Sequence, residues 1–410
     1  MRVLVQKYGG SSVKDAERIK AVAERVVKAY KDGWSVITVV SAMGDTTDEL
    51  IAKAKQVNSK PARREMDMLL STGEQVSIAL LAMAIEALGA PVISLTGQQV
   101  GILTDDVHTK ARIKHVDTKR LQEELNAGRI VIVAGFQGVN SRNDITTLGR
   151  GGSDTTAVAL AAAIQAEVCE IYTDVDGVYT ADPRIVSTAR KLTDISYGEM
   201  LEMASLGALV LQPRAVEFAA MNQVRLCVRN SYNYHPGTLV QEERQVEKDM
   251  LVVGVAHDTN VAKVAILSVP DRPGVAYNIF SRLAVEGINV DMIVQTNKEL
   301  NVTDMVFSTS RDDVVRVREI AEAVAQDLGA GDVLIDDTVA KISIVGAGMV
   351  SNPGVAARMF EALAEEDINI QVISTSEIKV SCLIAEEHIK RAAQALHRKF
   401  QLDAVKSMEA

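Results

Sequence analysis

The C-terminal part of the chain repeats itself in a register that can be checked residue by residue. Pro273-Gly274-Val275-Ala276, Phe280, Leu283-Ala284 and Ile288-Asn289 recur as Pro353-Gly354-Val355-Ala356, Phe360, Leu363-Ala364 and Ile368-Asn369, each pair 80 residues apart. Nine identities in one register over so short a stretch define two copies of one supersecondary unit. Val261-Ala262-Lys263 and Val339-Ala340-Lys341 precede them at an offset of 78. Each copy reads as a strand, a Pro-Gly turn, an amphipathic helix and a further strand opening at Ile-Asn, so two small α/β units are expected. Gly346-Ala347-Gly348-Met349-Val350-Ser351 imitates the start of a dinucleotide fingerprint, but its third glycine is missing. It also falls inside the repeat, with too little chain left for a dinucleotide domain, and is read as a repeat loop.

Ahead of the repeat, β-rich runs alternate with helical stretches: Val3 to Val5, Val36 to Val40, Val92 to Leu95, Ile130 to Val133 and Val168 to Tyr172. That alternation predicts a largely parallel sheet covered on both faces, and the β-branched character of the runs fits burial on both sides. The charged stretch Gln241-Glu242-Glu243-Arg244-Gln245-Val246-Glu247-Lys248-Asp249 marks the domain boundary.

Three segments carry chemistry. Leu148-Gly149-Arg150-Gly151-Gly152-Ser153-Asp154-Thr155-Thr156 places three glycines, an arginine and a run of helix-capping side chains before an apolar helical segment from Ala157 to Ala166. Backbone N–H groups aimed from such a helix start make an anion site, and Arg150 adds a two-pronged donor for carboxylate or phosphate. Val3-Leu4-Val5 runs into Lys7-Tyr8-Gly9-Gly10-Ser11-Ser12, which puts a positive charge and open donors at the carboxyl edge of the sheet, where ligands sit in open α/β folds. The lysine precedes the glycines, so this is not a Walker A loop. Ile171 to Arg184 is a strand that ends at Thr173 and Asp174, followed by an Asp-Gly turn and a loop bearing Tyr179 and Arg184.

The formal charge of −10 argues against nucleic acid or an anionic membrane as the main partner and leaves small solutes. No opening segment has signal-peptide order, and no apolar run reaches the ~20 residues of a membrane span, so a cytoplasmic protein is expected. Cys169, Cys227 and Cys382 are scattered and read as buried thiols, with neither a disulfide frame nor a thiolate metal site. His108 and His115 do not make a zinc site and read as surface residues.

Taken together, the three segments resemble the aspartokinase branch of the amino acid kinase family. Ser41 to Thr47 after the second strand and Thr72-Gly73-Glu74 ahead of a helix fit the same family, and the resemblance covers the whole chain. The repeat resembles a pair of ACT domains, the amino-acid-sensing modules of biosynthetic enzymes. The fold class implied is α/β, an open mostly parallel sheet of amino acid kinase type over residues 1–245, followed by two small βαββαβ units. The first unit spans 261–335; the second combines 250–260 with 336–410, so that the strand at Leu251 to His257 completes it and one unit is inserted in the other.

The resemblance implies an aspartate kinase that forms 4-phospho-L-aspartate from L-aspartate and ATP with Mg²⁺, on the way to lysine, threonine and methionine. Lys7 with Gly9, Gly10 and Ser11 would hold the phosphates, and Asp154 or Asp174 would orient Lys7 or meet the metal's water shell. No direct protein metal site is expected. Arg150 would grip the α-carboxylate of aspartate and Glu74 its ammonium, with Ser41, Thr47 and Ser153 completing the pocket. Thr173, Asp174, Tyr179 and Arg184 would contact the nucleotide. Asp271, Gly274, Ala276, Asn289, Gln295, Asn369 and Ile370 are the matching effector residues, with lysine, threonine or both left open. Paired ACT units imply a homodimer at least, or a higher homo-oligomer, and Met250 is a possible internal start for a separate regulatory chain.

The chain departs from the family at Leu206-Gly207-Ala208-Leu209, where a lysine near the nucleotide is expected in place of Leu209. A leucine cannot donate to phosphate, and Arg214 nearby is a candidate to compensate. Two other readings therefore stay open: a different amino acid kinase, or a catalytically weak amino-acid sensor acting as a regulatory subunit.

Overall fold

The computed structural model describes residues 1–207, 210–242, 250–297, 301–349 and 352–404. Leu209, most of the charged stretch after Gln241, and Val350-Ser351 lie outside the described residues. Two compact units result: one holds 1–178, 191–205 and 210–242, the other 179–190, 206–207 and the described residues from 250 onward. Residues 179–190 thus pack with the second unit although they lie within the span expected for the first.

In the first unit an eight-stranded sheet runs in the order Asp194–Ser196, Thr238–Gln241, Leu226–Asn230, Val168–Thr173, Val3–Tyr8, Ser35–Val40, Ile130–Ala134, Val92–Leu95. All neighbouring pairs are parallel except Leu226–Asn230 with Thr238–Gln241. The five runs expected as strands are all in it; the valines and isoleucines of Val3–Tyr8, Ser35–Val40 and Ile130–Ala134 are buried in the way a doubly covered sheet requires, while Val92 and Ile93 on the edge strand are half-buried. Val3–Tyr8 is central, in register with Ser35–Val40 on one side and Val168–Thr173 on the other, so that Tyr8 lies beside Val40 and Tyr172. The Tyr8 and Tyr172 rings stack with centroids 4.6 Å apart, turned into the core. Strand alternation then turns Lys7 to the opposite face.

Helix Ala16–Lys31 covers the sheet with a stripe of Ile19, Val22, Ala23, Val26 and Val27, spaced three and four apart. Asp15 caps it by accepting from the Arg18 N–H at 2.9 Å, a contact worth about 1 kcal/mol. Helix Arg63–Ala87 is 25 residues long and, contrary to the expectation from apolar runs, is long and apolar enough to cross a membrane. Its inner face nevertheless buries Asp67, Ser71, Glu74 and Ser77 beside Leu70, Ile78, Leu81 and Ile85, which is the pattern of a core helix. A second sheet of short strands, in the order Ile113–Val116, Ile102–Thr104, Gln137–Val139, Ile145–Thr147, leads directly into Leu148 and the glycine-rich segment.

The second unit contains the two repeat copies as two four-stranded sheets. In the first, the order is Val290–Asn297, Val302–Ser310, Val261–Pro270, Val333–Asp336, backed by helices Val275–Val285 and Val314–Leu328. In the second, Val372–Thr375, Lys379–Ala385 and Val339–Val345 take the equivalent places, and the fourth is filled by Gly254–Asp258, paired antiparallel with Val339–Val345. The chain therefore makes one strand of the second copy, the whole of the first, and then the rest of the second. Both Pro-Gly turns end in a left-handed glycine at the helix N-cap, Gly274 at φ 91° and Gly354 at φ 98°. Nothing stands within 4 Å of a side chain placed at either, so backbone conformation, not space, explains the glycine. Gly346 and Gly348 lie against Leu251, where a Cβ would collide with its backbone, so the imitation fingerprint is a packing loop.

Candidate active site

Lys7, near the end of Val3–Tyr8, places its Nζ 2.7 Å from Asp154 Oδ1, both side chains nearly buried. The pair is a close ion pair that does not align as a hydrogen bond, since Asp154 Oδ1 has no directed partner. Asp154 is in the first turn of helix Gly152–Ile164. This helix begins five residues earlier than the apolar run alone predicts. Gly151 at φ 72° turns the chain into it, and Ser153, Asp154, Thr155 and Thr156 lie inside the helix instead of capping it. Thr156 Oγ1 accepts from the Phe136 N–H and donates to the Gly152 carbonyl. With no side-chain cap, the helix start keeps its amide dipoles for a ligand.

The glycines are there for close approach. A Cβ on Gly10 would meet the Ala42 and Gly44 carbonyls at 2.9 and 3.0 Å, whereas one on Gly9 would only touch Lys7 Nζ at 3.4 Å. A Cβ on Gly135 would meet Ser153 Oγ at 2.7 Å.

Glu74 lies inside helix Arg63–Ala87, not ahead of a helix. Gly73 interrupts the helical signal there because a Cβ at that position would stand 2.8 Å from the Ala42 Cβ. The Ala42 N–H donates to Glu74 Oε1 at 3.1 Å, while Oε2 is buried with no partner among the described residues. Burial pushes the Glu74 carboxyl up to about 8, opposed only by backbone N–H donors.

Lys7, Gly9, Gly10, Ser41, Thr47, Glu74, Arg150, Ser153, Asp154 and Thr173 line one cleft of about 350 Å³, ten of the positions singled out from the sequence. Arg150 is exposed on its rim and makes no ion pair among the described residues. Ser11, Asp174, Tyr179 and Arg184 do not line it. The Ser11 carbonyl accepts from the Tyr232 hydroxyl, and Asp174 is exposed just past the strand end. Tyr179 and Arg184 belong to the second unit, where the Arg184 guanidinium closes on Asp182 at 2.7 Å. Arg214 donates to the Leu148 and Ala111 carbonyls through Nη1 and Nη2 and is absent from the cleft lining, so it does not stand where a phosphate in the cleft would be. Gln212 and Phe136 line the cleft although the sequence reading passed them over; neither carries a motif.

His108 is not a surface residue. It is held at 2.6 Å by Asp67, a fully buried carboxyl that a single polar letter in an apolar helix does not reveal. His115 is exposed, as expected. Cys169 and Cys382 are buried free thiols and Cys227 is half-buried.

Of the effector candidates, Asp271, Gly274 and Ala276 lie exposed at the start of helix Val275–Val285. Asn289, Gln295 and Asn369 are also exposed. Ile370 is half-buried along an apolar groove with Val294, Val306 and Leu334.

The amino acid kinase family model matches residues 2–230, and ACT domain models match residues 263–326 and 342–400. An aspartate kinase of Stutzerimonas stutzeri is 53% identical over 406 residues, with 98% of each chain covered. Among solved structures, E. coli aspartokinase III in complex with aspartate and ADP is 26% identical, with a TM-score of 0.80 and coverage of 97% of this chain and 99% of that one. The same enzyme in complex with lysine and aspartate gives 25% identity and a TM-score of 0.77 over the same shares of the two chains. By its catalytic fold, its paired regulatory modules and its full-length relatives, this chain belongs to the aspartokinases of the amino acid kinase family.

Proposed function

We propose that this chain transfers the γ-phosphoryl group of ATP to the β-carboxylate of L-aspartate, giving 4-phospho-L-aspartate and ADP. The observation that carries the reading is the pairing of two different groups in one cleft: an ammonium, Lys7 Nζ, oriented by Asp154, and a buried carboxyl, Glu74, with one oxygen unpartnered among the described residues. The aspartate and ADP complex of a structural relative, and the name of a 53% identical relative, point the same way.

The attacking carboxylate is ionised at neutral pH, so no general base is needed. One carboxylate oxygen bonds to the γ-phosphorus as the bond to the β,γ-bridging oxygen breaks, and ADP leaves with that electron pair. The task left to the protein is alignment and charge neutralisation. Lys7 stabilises the charge on the moving phosphoryl group, and Asp154 holds Lys7 in place. Gly9, Gly10 and Ser11 with the start of helix Gly152–Ile164 receive the phosphates. Arg150 takes the α-carboxylate and Glu74 the ammonium of aspartate, with Ser41, Thr47 and Ser153 around them. Thr173, on the cleft wall, and Asp174, just past the same strand end, are the residues of this unit that contact the nucleotide. Among the described residues no group of three His, Cys, Asp or Glu side chains forms a cage for an ion. Mg²⁺ would enter with the nucleotide. When bound it supplies further neutralisation of the phosphates, and Asp174 would meet its water shell.

The two ACT modules bind an amino acid, lysine or threonine or both, at the helix start that follows Gly274 and along Asn289 and Gln295, with Asn369 and Ile370 in the second copy. Their open edge strands pair across a two-fold axis in a homodimer or larger homo-oligomer. The test is formation of aspartyl phosphate, trapped with hydroxylamine, with lysine and threonine added singly and together. Activity with aspartate that falls on adding an effector supports both halves; binding of ATP and amino acid without turnover would replace the kinase with a sensor and make Leu209 the first residue to restore to lysine.

A further inference from the structure

Helix Arg63–Ala87 brings a second carboxyl to the neighbourhood of the cleft. Asp67 lies seven residues before Glu74 on the same buried face and has no exposure. Its oxygens gather three groups from two separate segments. Thr147 Oγ1 donates at 2.5 Å, the Thr109 N–H donates to both oxygens at 3.1 Å, and His108 presents Nδ1 at 2.6 Å. Thr147 ends the strand Ile145–Thr147, three residues before Arg150. Thr109 is held at φ 69°, a left-handed conformation that a β-branched residue keeps only under constraint. Its carbonyl stands 3.0 Å from where a Cβ on Gly149 would be, so the loop held by Asp67 is pressed against the residue next to Arg150. A second tie closes the same corner, since the Ala111 N–H donates to the Thr147 carbonyl at 2.9 Å.

We propose that Asp67 is a positioning residue for recognition of the amino-acid substrate: it fixes the His108–Thr109 loop against Gly149 and the end of the strand at Thr147, and so sets where Arg150 stands. This rests on the reading in which Arg150 receives the substrate α-carboxylate. Lys7, Gly9 and Gly10 belong to strand Val3–Tyr8 and the turn after it, which none of these contacts touches, so the larger effect falls on aspartate and the smaller on the nucleotide.

The experiment is a double-mutant cycle on the full chain with D67N, R150A and the pair, varying aspartate and ATP separately. D67N is expected to raise KM for aspartate about tenfold or more, since small misplacement of a binding group is costly, with kcat and KM for ATP changed less than about twofold. In the R150A background the same substitution is expected to add almost nothing, because the group it positions is gone. Should D67N fail to fold, T147V removes one donor while leaving the carboxyl in place, and is expected to shift KM for aspartate in the same direction and to lose that shift beside R150A. A D67N or T147V effect that is equal for both substrates, or undiminished beside R150A, overturns the proposal while leaving Arg150 as a ligand. R150A with an unchanged KM for aspartate overturns the Arg150 reading first, and Asp67's role with it.

Discussion

The Ala42 N–H reaches only one oxygen of Glu74, at 3.1 Å, and the other oxygen is buried without a partner among the described residues. Burial raises this carboxyl to about 8, so at neutral pH the empty site holds it largely protonated. An arriving ammonium needs the ionised form. Apparent affinity for aspartate should therefore rise as pH climbs from 6 toward 8, and E74Q should both weaken binding and flatten that dependence. Titration of aspartate binding at constant ionic strength checks it. A wild-type affinity that is flat over this range would remove Glu74 from ammonium recognition.

The same carboxyl makes a stability prediction of definite sign. Its folded pKa is above the unfolded value, so the native state binds more protons between the two, and its contribution is present below the unfolded pKa and lost as pH rises toward 8. Each unit of such a rise corresponds to about 1.4 kcal/mol. E74Q should melt close to wild type near pH 5 and above it at pH 8, in thermal unfolding without substrate.

Lys7 and Arg150 should separate by kinetic parameter. Lys7 neutralises charge that grows as the phosphoryl group moves, so K7A should lower kcat by about 10²–10³-fold. Arg150 meets a carboxylate that does not change during the reaction, so R150A should raise KM for aspartate, by about 10–100-fold for a charge-assisted bidentate contact, and leave kcat nearly intact. Equal and small effects from both would sink the assignment.

Gly151 is required twice over. Its φ of 72° is strained for any side chain, and a Cβ there would stand 2.0 Å from Gln212 Cγ. G151A should cost about 1–2 kcal/mol from the backbone alone and more from displacing Gln212. Because Gly151 also begins the helix that carries Asp154, turnover should fall further than stability. A variant that melts and turns over like wild type would show that the turn tolerates a side chain.

How much of this was legible before the structure depends on the kind of signal. Val36 to Val40 and Ile130 to Val133 announce themselves because both faces of a central strand are buried and every residue but Thr38 is apolar. The repeat announces two small α/β units; the strand contributed from before the first copy is implied only by the resemblance to related aspartokinases. Gln137–Val139 and Ile145–Thr147 have three residues each, too few for any period to show. Asp67 and His108 were missed because their meaning lies in a contact across 41 residues. Residues 179–190 read as a loop after a strand, and nothing in their composition says that Ala181 and Val186 enter the core of the second copy.

That segment gives the last prediction. Thr180 Oγ1 lies 2.9 Å from Nε2 of His397, on helix Ile389–Lys399, and the Thr180 carbonyl accepts from the Val255 N–H at 2.8 Å. Gln394 donates to the Ile185 carbonyl one turn away. His397 is buried, its Nδ1 has no partner, and burial holds its pKa below the usual 6.5, with Asp403 opposing and Arg190 reinforcing the shift. A base whose folded pKa is depressed stays neutral in the native state while the unfolded chain takes up a proton, so stability is present above 6.5 and is lost as pH falls below it. H397Q keeps a hydrogen-bonding side chain without the titration and should remove that acid-side loss from the melting curve between pH 7 and 5. If the segment 179–190 depends on this contact, H397L should also speed amide exchange at Thr180 and Arg190, while the main-sheet strand Val3–Tyr8 keeps wild-type protection. Unchanged exchange at those two amides would mean that the packing of Ala181 and Val186, with the bonds from Val255 and Gln394, secures the segment without His397.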